Sequence, residues 1–296
     1  MAMSIGSQQL TMSNDQLVTV IIPTHNRKEL LKRALHSVLN QSYLPLEIIV
    51  INDGSTDDTE TYVTELQLQY PRIKYLKHSS PKGAPKARNY GIREANGEFI
   101  TFLDDDDELH PDNIKFCMQH YNDDYAYVCT GQTRINCQRS IDVLPNSIIT
   151  YNDMLYKITT GNQILTRKER VMSLGGFDET LLSSQDYDMW LRLNEKYGDA
   201  KCIRKPLIIV HTEHDSERIT SSASRIDGAL AFYKKHQSKM DTRQRKYQQF
   251  YLLKVQNKRV GLLKFLSLVP VEYYWPDIKY CILSNYPRLS RAKSTV

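Results

Sequence analysis

The sequence predicts an α/β protein in which helices cover both faces of a mostly parallel sheet. Short apolar runs rich in β-branched residues alternate with amphipathic segments between residues 17 and 131, and the links between them are short. Because neighbouring parallel strands need a crossover, usually a helix, this alternation favours parallel strands with helices on both sides. The length of 296 residues allows one large domain, or one domain with an extension.

The elements of this first part are predicted from the spacing of apolar residues. Residues 17–23 (LVTVIIP) are typical of a buried strand, and Leu31, Leu35 and Val38 have the spacing of one helix face. The predicted strands are 17–23, 46–51, 73–76, 98–103 and 125–130. The predicted helices are 26–40, one capped by Ser55 or Asp57, 86–95 and 112–121.

The pattern changes after Gln132, where strands become shorter and loops longer. A helix is predicted at 185–197 and a strand at 201–210, in which Pro206 indicates an edge or a break. From residue 223 onward the chain is expected to be helical and basic. The predicted division is a disordered N-terminal segment (1–16), a main domain (17–131 and 132–222) and a C-terminal extension (223–296).

Composition restricts the class of protein. With 41% hydrophobic and 25% charged residues the chain is typical of a soluble globular protein, and no apolar stretch reaches the ~20 residues needed to span a bilayer. The N-terminus lacks a basic region followed by an apolar core, so no secretory signal is predicted. The five cysteines are widely spaced and form no CxxC pair, which predicts neither a zinc site nor a disulfide framework. A reducing cytoplasm is the expected compartment.

Positive charge is concentrated at the C-terminal end of the sequence. From Arg225 onward there are 15 Lys and Arg against 4 Asp and Glu, a net of +11, whereas the rest of the chain has 24 against 30, a net of −6. Leucines at 262–268 and the aromatic residues 273–275 follow within the basic part. This combination resembles an interfacial anchor for an anionic membrane. A helical extension that packs on the main domain, or that forms a dimer, is the alternative.

Four consecutive carboxylates, Asp104 to Asp107, follow the apolar run 99–103. A buried parallel strand delivers its carboxyl end to the crevice where open α/β sheets bind ligands. Hard oxygen ligands there suit Mg²⁺ or Mn²⁺, usually shared with a phosphate. The alternative is an acidic, solvated start of the helix that Pro111 and Asp112 open.

Polar residues also follow the other predicted strands. PTHNR (23–27) ends the first strand, NDGS (52–55) ends the second, and Lys82-Gly83 with Arg88 come at the third helix. Such groups suit a nucleotide and its diphosphate. Taken singly, each segment has a simpler explanation, a helix cap for the first two and a solvated basic face for the third. Their occurrence at three strand ends of one sheet, beside the acidic run, favours a ligand site.

Two later segments carry further candidates. GGFDE (175–179) precedes SQDYDMWLRL (184–193), in which Asp186 lies at a predicted helix start and Trp190 one turn later. An N-terminal acid of an amphipathic helix is the alternative for Asp186, and a core position for Trp190. His211 and His214 follow the late strand and could bind metal, with a surface loop as the alternative.

Together the segments PTHNR, INDGSTDDT, KGAPKARNYGIREANGEFITFLDDDD, GGFDE and SQDYDMWLRL resemble the inverting family-2 glycosyltransferases of the GT-A fold, over roughly residues 17 to 220. Two departures are His25, where the family often has Tyr, and Gln185, where it has Glu or Asp. The resemblance implies that 17–131 binds the nucleotide sugar and 132–222 the acceptor.

The resemblance also implies the site residues. Asp186 would be the catalytic base, Asp106 with His214 would hold a divalent cation, Mn²⁺ or Mg²⁺, and His211 competes with His214 for that role. The residues implied to bind the nucleotide sugar are Pro23, Thr24, His25, Arg27, Asp53, Lys82, Arg88, Asp104 and Asp105. Those implied to bind the acceptor are Gly176, Phe177 and Trp190.

The implied reaction is a single in-line displacement that inverts the anomeric carbon. The donor would be a nucleoside-diphosphate sugar, expected to be UDP-linked, and the acceptor a saccharide or lipid-linked saccharide in surface polysaccharide synthesis. The expected location is the cytoplasm, at the inner face of the plasma membrane if the extension is an anchor. No nucleic-acid partner is expected, and homo-oligomerisation is left open.

Two other classes of function compete with this reading. A sugar nucleotidyltransferase would need a Gly-rich loop after the first strand, and PTHNR has no glycine. A nucleotide-binding module without catalysis would not need both Asp106 and Asp186.

Overall fold

A mixed sheet forms the centre of the molecule. The structure, a computed structural model, describes residues 16–161, 163–181, 183–212 and 222–285, so the segment 1–15 lies outside it. In this described part the sheet has ten strands. They are β1 Val18–Thr24, β2 Leu46–Asp53, β3 Ile73–His78, β4 Phe99–Phe102, β5 Glu108–Leu109, β6 Val128–Asn136, β7 Arg139–Val143, β8 Ile148–Ile149, β9 Leu165–Arg167 and β10 Ala200–His211.

Strand order places the candidate ligand segments together at the carboxyl ends of neighbouring parallel strands. The order is β3-β2-β1-β4-β9-β6-β10-β5, with β7 paired to β6 and β8 to β10. The first four strands are mutually parallel, and β9 and β5 are antiparallel to their neighbours. Thr24 lies opposite Asn52, and Asp53 opposite His78. The loops that follow β1, β2 and β4 therefore leave the sheet side by side.

The described ranges contain eleven α-helices. They are α1 Lys28–Leu39, α2 Thr59–Gln69, α3 Ala84–Glu94, α4 Asn113–His120, α5 Tyr151–Tyr156, α6 Lys168–Met172, α7 Gln185–Tyr197, α8 Ser222–His236, α9 Thr242–Val255, α10 Leu262–Leu268 and α11 Tyr274–Asn285. Among these helices, none combines the length and the apolar character required to cross a bilayer.

Alternating side chains of the central strands pack into two separate hydrophobic cores, one on each face of the sheet. Ile21 packs in one core with residues of α3 and α7, whereas Val20 and Ile22 pack in the other with residues of α1 and α4. Successive side chains of a strand point to opposite faces, so both faces of the sheet are buried. The α/β class and helices on both faces, predicted from the sequence, are confirmed.

Local contacts decide two details that the sequence left open. α2 begins at Thr59, and of the two predicted caps Asp57 bonds to it: its Oδ1 accepts from the backbone of Thr59 and its Oδ2 from that of Lys28, each at 3.1 Å. Ser55 Oγ accepts instead from the backbone of Asn26 at 2.9 Å. Pro206 marks a break and not an edge, because β10 has neighbours on both sides and its register with β6 shifts around this residue.

The C-terminal helices pack on the rest of the molecule through α8 and α9. The rings of Phe232 (α8) and Tyr187 (α7) stack with centroids 3.9 Å apart. Gln248 of α9 donates to the carbonyl oxygens of Leu155 and Tyr156 at 3.0 and 2.8 Å. A third core joins α9, α10 and α11; its buried members are Tyr247, Phe250, Val260, Phe265, Val269 and Cys281.

Candidate active site

The loops after β1 and β2 are tied together by Asn26. Its backbone N–H donates to Ser55 Oγ at 2.9 Å, and its Oδ1 accepts from the backbone of Thr56 at 2.7 Å. Asn26 has φ of +53°, a left-handed conformation that asparagine tolerates better than most residues. The turn between β1 and α1 is therefore fixed before any ligand binds.

Asp53, at the end of β2, anchors the loop that leads into α3. Its carboxylate accepts from the backbone N–H groups of Lys82 (2.9 Å) and Gly83 (2.7 Å) and contacts His78 Nδ1 at 2.6 Å. His25 Nδ1 lies 2.8 Å from the Asp53 carbonyl oxygen, so the neutral ring carries its proton on Nδ1. Asp53, Lys82 and His25 thus form one connected edge of the site.

Asp105, in the loop that follows β4, is buried. Thr24 Oγ1 donates to it at 2.7 Å and Arg27 Nη1 at 2.9 Å, and the same nitrogen of Arg27 donates to Asp106 at 3.1 Å. Burial raises the pKa of Asp105 to about 6, although Arg27 and Thr24 act to lower it. The resemblance implies that Asp105 binds the donor sugar nucleotide. In the structure its carboxylate oxygens accept hydrogen bonds from Thr24 and Arg27.

Three carboxylates gather at the tip of β4. Oxygen atoms of Asp104, Asp106 and Asp107 lie within 4.8 Å of one another. Asp107 is buried and accepts from Gln163 Nε2 and the backbone of His211, both at 3.2 Å. Its pKa is raised well above the ordinary value by burial and then by the neighbouring charges of Asp104 and Asp106. Three hard oxygen donors fit a Mg²⁺ or Mn²⁺ ion.

Asp107 was not singled out by the sequence, although it belongs to the acidic run. Of the two late histidines, His211 directs Nε2 to Glu108 at 2.7 Å and is not a member of the carboxylate cluster. Its backbone N–H serves the cluster through Asp107 instead. His214 lies outside the described residues, so its predicted role as a ligand stays a prediction.

Arg88 connects the carboxylate cluster electrostatically to Asp186. This buried guanidinium donates from Nη2 to Asp104 at 2.6 Å. Its Nη1 is buried and, among the described residues, has no hydrogen-bond partner. Buried donors are normally satisfied, so Nη1 is a ready donor to an anionic ligand.

Asp186 lies in the first turn of α7, where its Oδ1 accepts from the backbone of Tyr187 at 2.9 Å. Burial raises the pKa of its carboxyl group; the charge of Arg88 acts to lower it and that of Asp104 to raise it further. A carboxylate with a raised pKa, close to a buried guanidinium and an acidic cluster, has the properties of a general base.

The structure places Phe177 and Trp190, which were predicted to bind the acceptor, in the core. Phe177 is 2% exposed and Trp190 is fully buried, with the two ring centroids 5.8 Å apart. Gly176 is buried as well: it has φ of +77°, and a Cβ there would lie 2.5 Å from Asn89 Oδ1. Asn89 also exchanges hydrogen bonds with the backbone N and O of Phe177, at 2.7 and 2.9 Å. Gly176 and Phe177 therefore pack against Asn89 of α3, and Phe177 packs against Trp190 of α7.

A buried ion network, missed by sequence reasoning, holds α7 in place. Asp188 is fully buried and accepts from Arg192 Nε and His236 Nε2, each at 2.8 Å. Arg192 also donates to the carbonyl oxygens of Leu174 and Gly176, at 3.0 and 2.9 Å. The i,i+4 spacing of Asp188 and Arg192 could have indicated their pair. No local signal indicates His236, which is 48 residues away.

Comparison with known proteins identifies the family. A sequence model described as Glycosyl transferase family 2 matches residues 19–179, more than half of the chain. Over 273 residues the chain is 35% identical to an Escherichia coli (strain K12) protein named "Putative colanic acid biosynthesis glycosyl transferase WcaA", covering 88% of this chain and 96% of that protein. The chain belongs to glycosyl transferase family 2. It is thus a glycosyltransferase, as the motifs predict.

Another relative of this family 2 chain is the "GalNAc(5)-diNAcBac-PP-undecaprenol beta-1,3-glucosyltransferase" of Campylobacter jejuni. It is 35% identical over 183 residues, which cover 60% of this chain and 59% of that protein.

Solved structures show the same GT-A fold. Staphylococcus aureus TarS (1–349) in complex with UDP-GlcNAc has a TM-score of 0.59 at 19% identity, covering 90% of this chain and 79% of that one. The mannosyltransferase PcManGT of Pyrobaculum calidifontis, in complex with GDP-Man and Mn²⁺, has a TM-score of 0.59 at 18% identity, covering 95% and 76%. At these identities the likeness establishes the fold of the family 2 chain and nothing finer.

Proposed function

We propose that this family 2 enzyme transfers a sugar from a nucleoside-diphosphate sugar, expected to be UDP-linked, to a hydroxyl group of a saccharide or lipid-linked saccharide. The observation that carries the proposal is Arg88, which donates to Asp104 of the carboxylate cluster and has Nη1 ready for an anion. Its charge also opposes the rise that burial causes in the pKa of Asp186. One side chain thus connects a site for a diphosphate with a candidate base.

The donor would lie across the loops after β1, β2 and β4. His25 and Asp53 form the edge nearest the nucleoside, together with Pro23, Thr24 and Lys82, and Arg88 Nη1 donates to the diphosphate. Asp104, Asp106 and Asp107 would hold a divalent cation, Mn²⁺ or Mg²⁺, which when bound neutralises charge on the leaving diphosphate. Arg27 adds a fixed positive charge beside Asp106.

Asp186 would take the proton from the acceptor hydroxyl as that oxygen attacks C1 of the sugar. Attack from the face opposite the diphosphate inverts the anomeric configuration, so an α-linked donor gives a β-linked product. One base suffices, whereas glycoside hydrolysis needs a pair of carboxyl groups. The tie between Asp188, Arg192 and His236 keeps the first turn of α7 in place during this step.

The names of two relatives support the class of acceptor. One refers to colanic acid biosynthesis and the other to an undecaprenol-linked saccharide. We therefore place this chain in surface polysaccharide synthesis, acting in the cytoplasm at the inner face of the plasma membrane, where a lipid-linked acceptor would be presented.

A donor screen tests the proposal. The purified full chain is incubated with UDP-, GDP- and dTDP-linked sugars, with Mn²⁺, with Mg²⁺ or with excess chelator, and the release of nucleoside diphosphate is measured. We expect one donor to turn over, only with a cation, and Asp186→Asn to lower that turnover by roughly 10²-fold or more. NMR of the product with a saccharide acceptor reports its anomeric configuration. Full activity in chelator would contradict the metal site, and retention of configuration the single displacement.

A further inference from the structure

An apolar surface lies at the outer end of the C-terminal helices. On α10, Leu262, Leu263 and Leu266 are 58%, 84% and 44% exposed; at the turn into α11, Val271 and Trp275 are 70% and 88% exposed. We call these five residues the apolar patch. Single exposed apolar residues are ordinary, but a cluster of leucines with a tryptophan on adjoining short elements marks an interaction surface.

The patch is a result of how α10 packs. Phe265 is fully buried against Phe250 of α9, with ring centroids 5.6 Å apart, so the opposite side of α10 faces outward. The three exposed leucines occupy positions i, i+1 and i+4 of that side. Tyr274 donates from its hydroxyl to the Leu266 carbonyl oxygen at 3.3 Å, which brings the start of α11 beside the end of α10. Trp275 is the next residue.

Basic residues outnumber acidic ones in the chain around the patch. Residues 222–285 contain 12 Lys and Arg against 4 Asp and Glu. Of these acids, Asp277 is buried and bound to Lys254 (2.7 Å) and Tyr247 (2.6 Å), and Asp241 caps α9. The cations exposed near the patch in sequence are Lys258, Arg259, Lys264 and Lys279. Glu272, next to Val271, is the exposed acid there, and the four exposed cations outnumber it, so the net positive charge attracts anionic partners.

We propose that the apolar patch and these four cations dock the enzyme on an anionic lipid surface. Leucine and valine side chains enter the acyl boundary, Trp275 lies at the level of the headgroups, and the cations meet lipid phosphates. A second copy of the chain fits less well. A two-fold interface would bring the same basic residues of two copies together, and like charges across an interface oppose association.

Docking would serve the proposed function, on which its purpose rests, because a lipid-linked acceptor is held at the same surface. α9 links the two places: Phe250 contacts the helix that carries the patch, and Gln248 Nε2 lies 3.2 Å from the hydroxyl of Tyr187, the residue after Asp186. The docking surface and the candidate base are thus connected through one helix.

Vesicle co-sedimentation of the full chain, without donor or acceptor, tests the docking surface. Vesicles of phosphatidylcholine with and without phosphatidylglycerol are compared at low and high salt. We expect binding that needs the anionic lipid and weakens with salt. The double variant Leu263→Ser/Trp275→Ser should lose most of it. Its control is Leu68→Ser, a leucine of α2 that is 85% exposed and far along the chain from the patch.

The charge arm uses Lys264→Gln, with Lys115→Gln, an exposed lysine of α4, as its control. Losing one lysine should lower the partition coefficient roughly fivefold, which corresponds to about 1 kcal/mol per basic residue near an anionic surface. The proposal is overturned if the unaltered chain ignores anionic vesicles at low salt, or if patch and control variants bind equally. It is also overturned if light scattering shows a dimer that the patch variant dissociates, while no variant binds vesicles.

Thermal melting checks that the variants fold, and donor turnover is measured separately. Vesicle binding with no turnover of any donor would remove the proposed function and leave the docking surface standing. Donor turnover without vesicle binding would remove the docking surface and leave the proposed function standing.

Discussion

At the scale of single residues, the acidic run shows what a sequence can and cannot indicate. It predicted a carboxylate site at the tip of a buried strand, and Asp104, Asp106 and Asp107 do gather there. It could not indicate that Asp105 binds Thr24 and Arg27, or that Asp107 completes the cluster. Which partner each carboxylate meets depends on residues that are distant in the sequence.

The first prediction concerns the candidate base. Asp186→Asn keeps the shape of the side chain and removes its basicity. We expect transfer to fall by roughly 10²-fold or more, the usual contribution of general base catalysis, with donor affinity retained. Initial rates and calorimetric titration of the donor measure the two effects separately. An equal loss of donor affinity would make Asp186 a binding residue instead.

The second prediction concerns pH. Burial raises the pKa of Asp186 above the ordinary value of 3.8, and the base acts only when ionised. As pH falls, kcat/KM should therefore decline at a pH above 3.8, earlier than for an exposed aspartate. The profile is measured at saturating cation. If Asp186→Asn retains the same acidic limb in its residual activity, another group is responsible.

The third prediction concerns Asp107, which only the structure adds to the cluster. Asp107→Asn can still accept from the backbone of His211 but loses its charge. We expect the Mn²⁺ concentration for half-maximal donor turnover to rise roughly tenfold or more, as for other residues that support a metal site. Asp57→Asn, outside the cluster, is the control. Identical Mn²⁺ curves for both variants would exclude Asp107 from the site.

At the scale of elements, the sequence succeeded where local signals decide the structure. The helix predicted at 185–197 is α7, which ends at Gly198 with φ of +88°. Helix starts were less certain where several polar residues compete, as at Ser55, Asp57 and Thr59. The contribution of His236 to the support of α7 was not predictable, because this residue reaches α7 from a different helix.

The fourth prediction concerns that support. Burial acts to raise the pKa of Asp188, but the hydrogen bond from His236 and the charges of Arg192 and Lys235 outweigh it and hold the pKa below 3.8. Asp188→Ala would remove the buried carboxylate that Arg192 and His236 share and should destabilise the fold by roughly 3–5 kcal/mol at neutral pH. Urea unfolding measures the loss, with the exposed Asp124→Ala as control.

The sign of the pH effect follows from that depressed pKa. The folded state binds the proton of Asp188 less tightly than the unfolded state does, so the contribution is complete above about 3.8 and is lost as pH falls through the lower, folded value. The difference between Asp188→Ala and the unaltered protein should therefore shrink in acid. A difference that stays constant to the lowest pH at which the fold survives would assign the effect to packing.

At the scale of the whole molecule, the basic C-terminal part has two aspects that its charge could not separate. α8 and α9 pack on the rest of the chain through Phe232 and Gln248, which fits the alternative of a packed extension. α10 and the start of α11 expose the apolar patch. A net charge says only that an anionic partner is favoured. The contacts show which helices pack on the rest of the chain and which expose apolar residues to solvent.

The last prediction concerns the effect of the apolar patch on transfer to a lipid-embedded acceptor. If the enzyme must reach an acceptor at a lipid surface, Leu263→Ser/Trp275→Ser should raise the KM for an acceptor embedded in anionic vesicles and leave kcat unchanged. Docking raises the local concentration of enzyme at the acceptor without altering the groups around Asp186. The same acceptor in detergent micelles should abolish the difference between the variant and the unaltered chain. A kcat that falls equally in vesicles and micelles would instead mean that the patch supports the catalytic fold through α9.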